Sequence, residues 1–491
     1  MQPLEAQLEK MFGFQTFRTG QKEVIESIIT GKDTLAMLPT GTGKTLCFQM
    51  PGYLMDGLVI IISPLLALMQ DQVEQMKAKG EKKVASLNSF LTLQERDMVL
   101  RSLSLLKFLY ISPEMLQSRF ILDKLKKLNI ALFVVDEAHC ISQWGYDFRP
   151  SYLQLGRIRE ELNNPLTLAL TATATPEVQE DILKNLCMED AARVIHSVNR
   201  ENISILVEEA ADYQHKLQIL IDALNKVPGA GVIYVSSRKL AEQLSGFLLE
   251  KGFDGVAYYH GGMETSDRIL IQQQFLSGQL RIIVATNAFG MGINKNDIRF
   301  ILHVNMPLSV EAYVQEIGRA GRDGLPAVAI LLYSEGDEWQ ASHLIERDFP
   351  IRSEIEWVIH HEASNLTAEE FIGDDKIERI KELNKALLKG NILDPYERIE
   401  RIDVELENRK KEKLMKLYLL KKWILSTECR KSSIASYFNQ ELQNKTKTCC
   451  DRCGATLDAL IAILPKQRQD IPREDQNWRM QLKQLFTGRA E

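Results

Sequence analysis

The sequence predicts two tandem parallel α/β sheets followed by a helical, cysteine-bearing segment, and three observations carry that prediction. From residue 31 to about 335, short β-rich apolar runs alternate with longer amphipathic stretches, the pattern of strand–helix–strand crossovers. Beyond about residue 336 the strand-like runs stop and Glu, Lys, Leu and Ile dominate. The length, 491 residues, exceeds what one hydrophobic core organises.

The first set of strands is expected at Asp33–Leu38, Leu58–Ile62, Phe108–Ile111, Leu132–Val135 and Thr167–Leu170. The second is expected at Gly231–Val235, Arg281–Ala285, Phe300–Val304 and Ala327–Leu332, with Asn199–Glu209 joining the halves. Residues 337–425 read as helices. In the last of them Leu414, Leu417, Tyr418, Lys421, Ile424 and Leu425 fall at helical spacing. The expected units are 1–200, 201–336, 337–453 and a short polar tail, 454–491.

Composition is that of a globular protein, 45% apolar and 26% charged, and the longest apolar runs are only strand-length. The N-terminal MQPLEAQLEKMFGF lacks the basic-then-apolar layout of a signal peptide. A soluble, cytoplasmic protein with no membrane partner is expected. Net charge is −6, so bulk charge gives no argument for nucleic acid. Between Arg409 and Lys447, however, eleven Lys/Arg face three acids, either a solvated helix face or a basic platform.

Chemistry concentrates in three places. Leu38-Pro39-Thr40-Gly41-Thr42-Gly43-Lys44-Thr45 lies between a strand and a helix, where backbone N–H groups can cradle phosphates. Lys44 would add a point charge at the β/γ-phosphates and Thr45 a hydroxyl ligand for Mg²⁺. Asp136 and Glu137 end a second buried strand. The first suits Mg²⁺ held through water, the second the orientation and deprotonation of an attacking water. Seven residues later a loop carries Trp144, Tyr146, Phe148 and Arg149, which suit base stacking and phosphate contact. In the second half Gln315-Glu-Ile-Gly-Arg-Ala-Gly-Arg322 offers Arg322, with Arg319 nearby, as a cation arriving when the site closes.

Four of the seven cysteines, Cys429, Cys449, Cys450 and Cys453, cluster late in the chain. An intracellular protein gains little from disulfides, so a metal is the first reading, and four thiolates suit tetrahedral Zn²⁺. Iron–sulfur ligation also uses four cysteines.

Taken in order, these stretches resemble the RecQ family of superfamily-2 helicases from about residue 12 to 453, in its short bacterial, RecS-type form. The resemblance rests on Phe12-Gly-Phe-Gln-Thr-Phe-Arg-Thr-Gly-Gln21, LPTGTGKT, Ser63-Pro-Leu-Leu-Ala-Leu-Met-Gln-Asp-Gln72, Tyr110-Ile-Ser-Pro-Glu114 and DEAHCISQWGYDFRP (136–150). It continues in Thr171-Ala-Thr-Ala174, Tyr259-His-Gly-Gly262, Ala285-Thr-Asn-Ala-Phe-Gly-Met-Gly292 and QEIGRAGRDG (315–324). Tyr146 stands where family members often have His.

The resemblance implies two RecA-like motor domains and an ATP- and Mg²⁺-dependent 3′→5′ DNA helicase of repair or recombination. Gln21, helped by Arg18, would read adenine. His139, Gln143 and the aromatic loop Trp144–Phe148 would report single-stranded DNA to the carboxylates, and Thr171 and Thr173 would couple hydrolysis to domain movement. Segments around Ser63, Tyr110, His260 and Ala285 would follow the DNA backbone. The cysteines resemble the family's zinc site, since helicases with an iron–sulfur cluster place it between the ATPase motifs.

Expected partners are single-stranded and forked DNA, with single-stranded-DNA-binding protein and other repair factors, the chain acting as a monomer near the nucleoid. A 38-residue tail cannot hold the winged helix or small helical DNA-binding domain of longer relatives, so weaker or more substrate-limited unwinding is expected. A translocase that remodels protein–DNA complexes or anneals strands is the alternative enzyme. A scaffold switched by ATP is the alternative of another class.

Overall fold

The structure, a computed structural model, describes residues 3–64, 66–89, 91–142, 149–290, 295–361, 372–442 and 446–465. Seven strands form the first sheet: β1 (Thr34–Met37), β2 (Leu58–Ile62), β3 (Val84–Leu87), β4 (Phe108–Ile111), β5 (Ile130–Val135), β6 (Thr167–Thr171) and β7 (Ala192–Ile195). Their spatial order is β3-β4-β2-β5-β6-β1-β7. Six form the second: β8 (Ile203–Glu209), β9 (Ala230–Tyr234), β10 (Val256–Tyr259), β11 (Ile282–Ala285), β12 (Ile298–His303) and β13 (Ala327–Tyr333), in the order β10-β11-β9-β12-β13-β8. Among the described residues every ladder is parallel. Interior strands such as LVIII and AVAILLY are apolar on both faces because helices cover both sides.

Register brings the C-terminal ends of β1, β5 and β6 together. Met37 pairs with Thr171, and Ile62 with Val135. The next backbone bonds, Leu38 N–H to Thr171 O (3.1 Å) and Asp136 N–H to Ile62 O (2.9 Å), carry the alignment into the loops beyond. Ligands of parallel sheets bind at this edge.

All nine expected strands are present. Four others, β3, β7, β8 and β10, are absent from the sequence reading, and they are the four edges of the two sheets. An edge strand has one neighbour and carries more polar residues, as Ala192-Arg-Val-Ile195 does, so its apolar signal is weak. Asn199–Glu209, expected only to join the halves, contains β8, which pairs with β13 over seven residues.

The helical region holds Asp337–Asp348, Arg352–His360, Asp374–Lys389, Pro395–Leu425 and Arg430–Tyr437. The 31-residue helix begins with Pro395 in the first turn, and the Asp394 carboxylate accepts from the Tyr396 and Glu397 N–H groups. Its buried stripe includes Ile399, Ile402, Leu406, Leu417, Leu420, Trp423 and Ile424. The expected stripe is corrected at two positions: Tyr418 and Leu425 are exposed, because the 417, 420 and 424 row faces the core.

Lys216, 2% exposed, clips this region to the second sheet through Asp337 Oδ2 (2.5 Å) and Val304 O (3.0 Å). Ala455, Leu460 and Leu464, in the stretch read as a polar tail, are buried in the second sheet's core. Among the described residues no helix is long and apolar enough to cross a membrane.

Candidate active site and metal centre

The loop after β1 is tied down from both sides. Arg18 Nη1 donates to Gly41 O at 2.6 Å, and Gln21 Nε2 donates to Thr42 O (2.7 Å) and Gly43 O (3.1 Å). Gln21 Oε1 accepts from the Arg18 N–H at 2.8 Å. The residue expected to meet adenine is thus bonded to the phosphate loop itself. The Thr42 hydroxyl donates to Pro39 O at 2.8 Å, and Thr45 Oγ1 lies 3.5 Å from Gln72 Oε1. Gly41 has φ +84°, and a Cβ there would lie 2.8 Å from Arg322 Cγ, so both backbone conformation and space call for glycine.

Asp136 and Glu137 follow β5 as the register requires. Tyr152 OH donates to Asp136 O (3.1 Å), and the Glu137 N–H donates to Asp136 Oδ1 (3.0 Å). Glu137 is held at φ +48°, strain concentrated at this turn. Burial, and then the neighbouring Glu137 carboxylate, push the Asp136 carboxyl up to about 6, against the pull of Lys44. Burial would also raise Glu137, yet Lys44, His139 and Arg319 together hold it below the usual range. One carboxylate inclined to take a proton beside one that resists it is an arrangement suited to holding a cation and orienting water. His139 is buried, with Nδ1 3.0 Å from Thr171 Oγ1 and 3.4 Å from Glu137 Oε2, and so links β6 to the carboxylates.

The second sheet closes over this loop. Thr40 Oγ1 donates to Gly318 O at 2.8 Å. Arg200 Nη1 donates to Thr40 O (2.7 Å) and Gly318 O (3.1 Å), and its Nη2 donates to Gly321 O (2.6 Å). Arg322 lies against Gly41, and Arg319 is near enough to lower Glu137. Burial, and then Arg319 and Arg200, push Arg322 down to about 10. Arg200 was missed by sequence reasoning. A lone arginine in a connecting stretch carries no local signal, and its role as a staple exists only once the two sheets meet.

The four late cysteines converge, with all Sγ atoms within 4.8 Å of one another. Cys429 Sγ lies 3.6 Å from Cys449 Sγ and 3.9 Å from Cys450 Sγ. A tetrahedral Zn²⁺ with bonds of about 2.3 Å requires S···S distances of roughly 3.8 Å, so the set fits zinc. The Arg430 N–H donates to Cys450 Sγ at 3.4 Å, the kind of support a thiolate ligand takes. Arg430, 1% exposed, braces the knuckle through Asp451 (Nη2–Oδ2 3.0 Å), Trp423 O (2.7 Å) and Ile424 O (2.6 Å).

The expected DNA contacts are less uniform. Gln143, Trp144, Tyr146 and Phe148 lie outside the described residues. Arg149 Nη1 donates to Pro64 O at 2.8 Å. Ser63 and His260 are buried, and His260 bonds Glu242 (2.9 Å) and stacks on Tyr258, so neither side chain projects to solvent. Thr173 is buried next to Thr171, whose hydroxyl lies 3.4 Å from Thr173 O. Much of the basic stretch is consumed internally. Arg409 pairs with Glu405, Lys410 with Glu407, Lys416 with Glu311 and Lys421 with Glu338, while Lys431 donates to Arg200 O and Glu201 O.

Residues 18–182 match the DEAD/DEAH box helicase family, and residues 215–324 match the helicase conserved C-terminal domain. Fold and cleft together define a helicase with two RecA-like motor domains. The chain is 43% identical over 491 residues to the Bacillus subtilis protein named "Probable ATP-dependent DNA helicase RecS", covering 99% of this chain and 98% of that one. It is 42% identical over 352 residues to the ATP-dependent DNA helicase RecQ of Haemophilus influenzae, covering 71% of this chain and 56% of the relative, whose length it spans only by about half. The Mycobacterium smegmatis helicase Lhr bound to ssDNA and AMP-PNP shares the fold, with a TM-score of 0.54 at 20% identity over 76% of this chain and 56% of that one. The chain belongs to the RecQ family of helicases, alongside RecS.

Proposed function

We propose that this protein is an ATP-dependent DNA helicase that moves 3′→5′ on single strands and serves DNA repair or recombination. The carrying observation is the convergence of Thr40, Asp136, Glu137, Arg319 and Arg322 from two separate sheets on one cleft. Such a cleft is complete only when the sheets close, which is how hydrolysis becomes movement. The polarity and the biological role rest on the family resemblance.

In this reading the loop Pro39–Thr45 cradles the ATP phosphates, and adenine draws Gln21 and Arg18 off the loop carbonyls they hold. Mg²⁺, when bound, supplies charge neutralisation at the phosphates, with Thr45 and Asp136 as its protein partners. Glu137, kept ionised, orients the attacking water and accepts its proton only as the water's oxygen bonds to phosphorus and grows acidic, while Arg319 and Arg322 offset charge gathering on the transferred group. His139 and Thr171 pass the state of the carboxylates to β6, while Gln143, Trp144, Tyr146, Phe148 and Arg149 report single-stranded DNA. Ser63 and His260 shape the backbone-following segments from beneath. Cys429, Cys449, Cys450 and Cys453 hold Zn²⁺, which fastens the helical region to the motors. We take 1–200, 201–336, 337–453 and 454–491 as the working units, the start of the last packing on the core of the second sheet.

The test is steady-state ATP hydrolysis with and without single-stranded DNA, beside unwinding of a forked duplex, with Lys44→Ala as the inactive control. Turnover indifferent to DNA rejects the motor. Turnover that rises while no duplex opens favours a translocase that remodels protein–DNA complexes. The internal pairing of the basic stretch, which leaves fewer cations to grip a duplex, is the observation behind that second reading.

A further inference from the structure

A buried stack runs from the nucleotide cleft to the cysteine knuckle. The Tyr234 and His303 rings, at the ends of β9 and β12, lie 5.2 Å apart and 20° from parallel. His303 packs on Tyr313 at 5.2 Å, Tyr313 on Trp423 at 4.9 Å, and the Arg430 guanidinium sits 5.5 Å over the Trp423 ring. Arg430 then reaches Asp451, next to Cys450. Every ring is nearly or wholly buried.

The cleft end of the stack converges on Arg319. His303 Nε2 lies 2.8 Å from Glu316 Oε2, and the Glu316 carbonyl accepts the Arg319 N–H at 3.2 Å. Tyr234 OH donates to Phe289 O at 2.9 Å, next to Gly290, and Arg319 is near enough to offset part of the rise that burial gives the phenol. That guanidinium lies flush against Gly290, where a Cβ would meet Cζ at 2.3 Å. Arg319 Nε is buried with no partner among the described residues. An arginine side chain has large rotamer freedom, and one fixed in advance loses less of it when it meets a phosphate. The Tyr234 phenol holds the Phe289 carbonyl, the adjoining Gly290 backbone confines the guanidinium, and His303 fixes the turn that carries it.

We propose that Tyr234 and His303 are positioning residues for Arg319, holding its guanidinium ready in the cleft, with Tyr313, Trp423 and Arg430 backing them from the knuckle. The proposal rests on the ATP-hydrolysis reading and deepens it. Tyr234→Phe is its cleanest probe, because the ring stack survives and only the oxygen is lost. At saturating ATP and single-stranded DNA, kcat falls about tenfold, the loss of one hydrogen bond expressed in the transition state. KM for ATP and Kd for DNA stay within twofold, while Tm falls modestly because the buried Phe289 carbonyl loses its donor. Placed in an Arg319→Lys background, the same change alters kcat by less than twofold, since the group it positions is gone. Unchanged kcat in Tyr234→Phe, an undiminished loss in the lysine background, or a loss matched by a rise in KM overturns the proposal. A wild-type protein with no DNA-stimulated turnover overturns the function, and the proposal with it. Wild-type turnover beside an indifferent Tyr234→Phe overturns the proposal alone.

Discussion

The Thr40 hydroxyl donates a 2.8 Å hydrogen bond to the Gly318 carbonyl, and a Cβ on Gly318 would sit 2.0 Å from the Thr40 hydroxyl oxygen. The two motor sheets therefore meet through a position that must lack a side chain. Gly318 has φ −62° and ψ −7°, a conformation alanine adopts freely. Gly318→Ala is expected to leave Tm unchanged while lowering DNA-stimulated kcat at least tenfold, because only closure is obstructed. Steady-state kinetics beside a thermal melt checks this, and a normal kcat would show that the closed contact is dispensable.

The Asp136 carboxyl, raised to about 6 by burial and by Glu137, makes the site acid-sensitive. As pH falls through about 6 the carboxylate takes a proton, and Mg²⁺ must compete with it. The Mg²⁺ concentration giving half-maximal ATPase should therefore rise below that pH. The stability sign is opposite to that of a salt-bridged acid. Between roughly 4 and about 6 the folded chain holds a proton that the unfolded chain has released, so this group's contribution declines as pH rises through that window. Asp136→Asn should thus melt higher than wild type at pH 7.5 without nucleotide and equal it below pH 4. A lower melt at pH 7.5 would contradict the raised value.

Removing the zinc proposed for the four cysteines should loosen the knuckle from the motors. The buried Arg430 is bound to Asp451 and to carbonyls of the long helix, and Ile205 N–H donates to Cys449 O at 3.2 Å, so the cysteine knuckle touches both the helical region and β8. Purified protein is expected to carry one zinc per chain, and Cys450→Ser or chelation is expected to lower Tm and to weaken DNA binding at least tenfold. Metal analysis well below one zinc per active chain would remove the zinc assignment.

Trp144→Ala should leave basal ATPase and DNA affinity within about twofold while cutting the DNA-stimulated rate, because one stacking platform among many contributes little to total affinity. The comparison is hydrolysis against DNA concentration for both proteins. Full stimulation in the variant would make the loop structural only.

The sequence by itself determined the nine interior or near-interior strands, the phosphate loop, the Asp136–Glu137 pair, the two arginines and the four cysteines. Each is local: an apolar run buried on both faces, or a residue spacing that chemistry requires. Only the tertiary structure decided the four edge strands, the buried stripe of the long helix, the internal pairing of the basic stretch and the roles of Arg200, Tyr234, His303 and Arg430. Those depend on partners tens to hundreds of residues away, as Thr40 depends on Gly318. A hydrogen bond across two sheets or a stack of rings from four elements leaves no periodicity in one chain segment, because its geometry is set by packing rather than by neighbours in sequence.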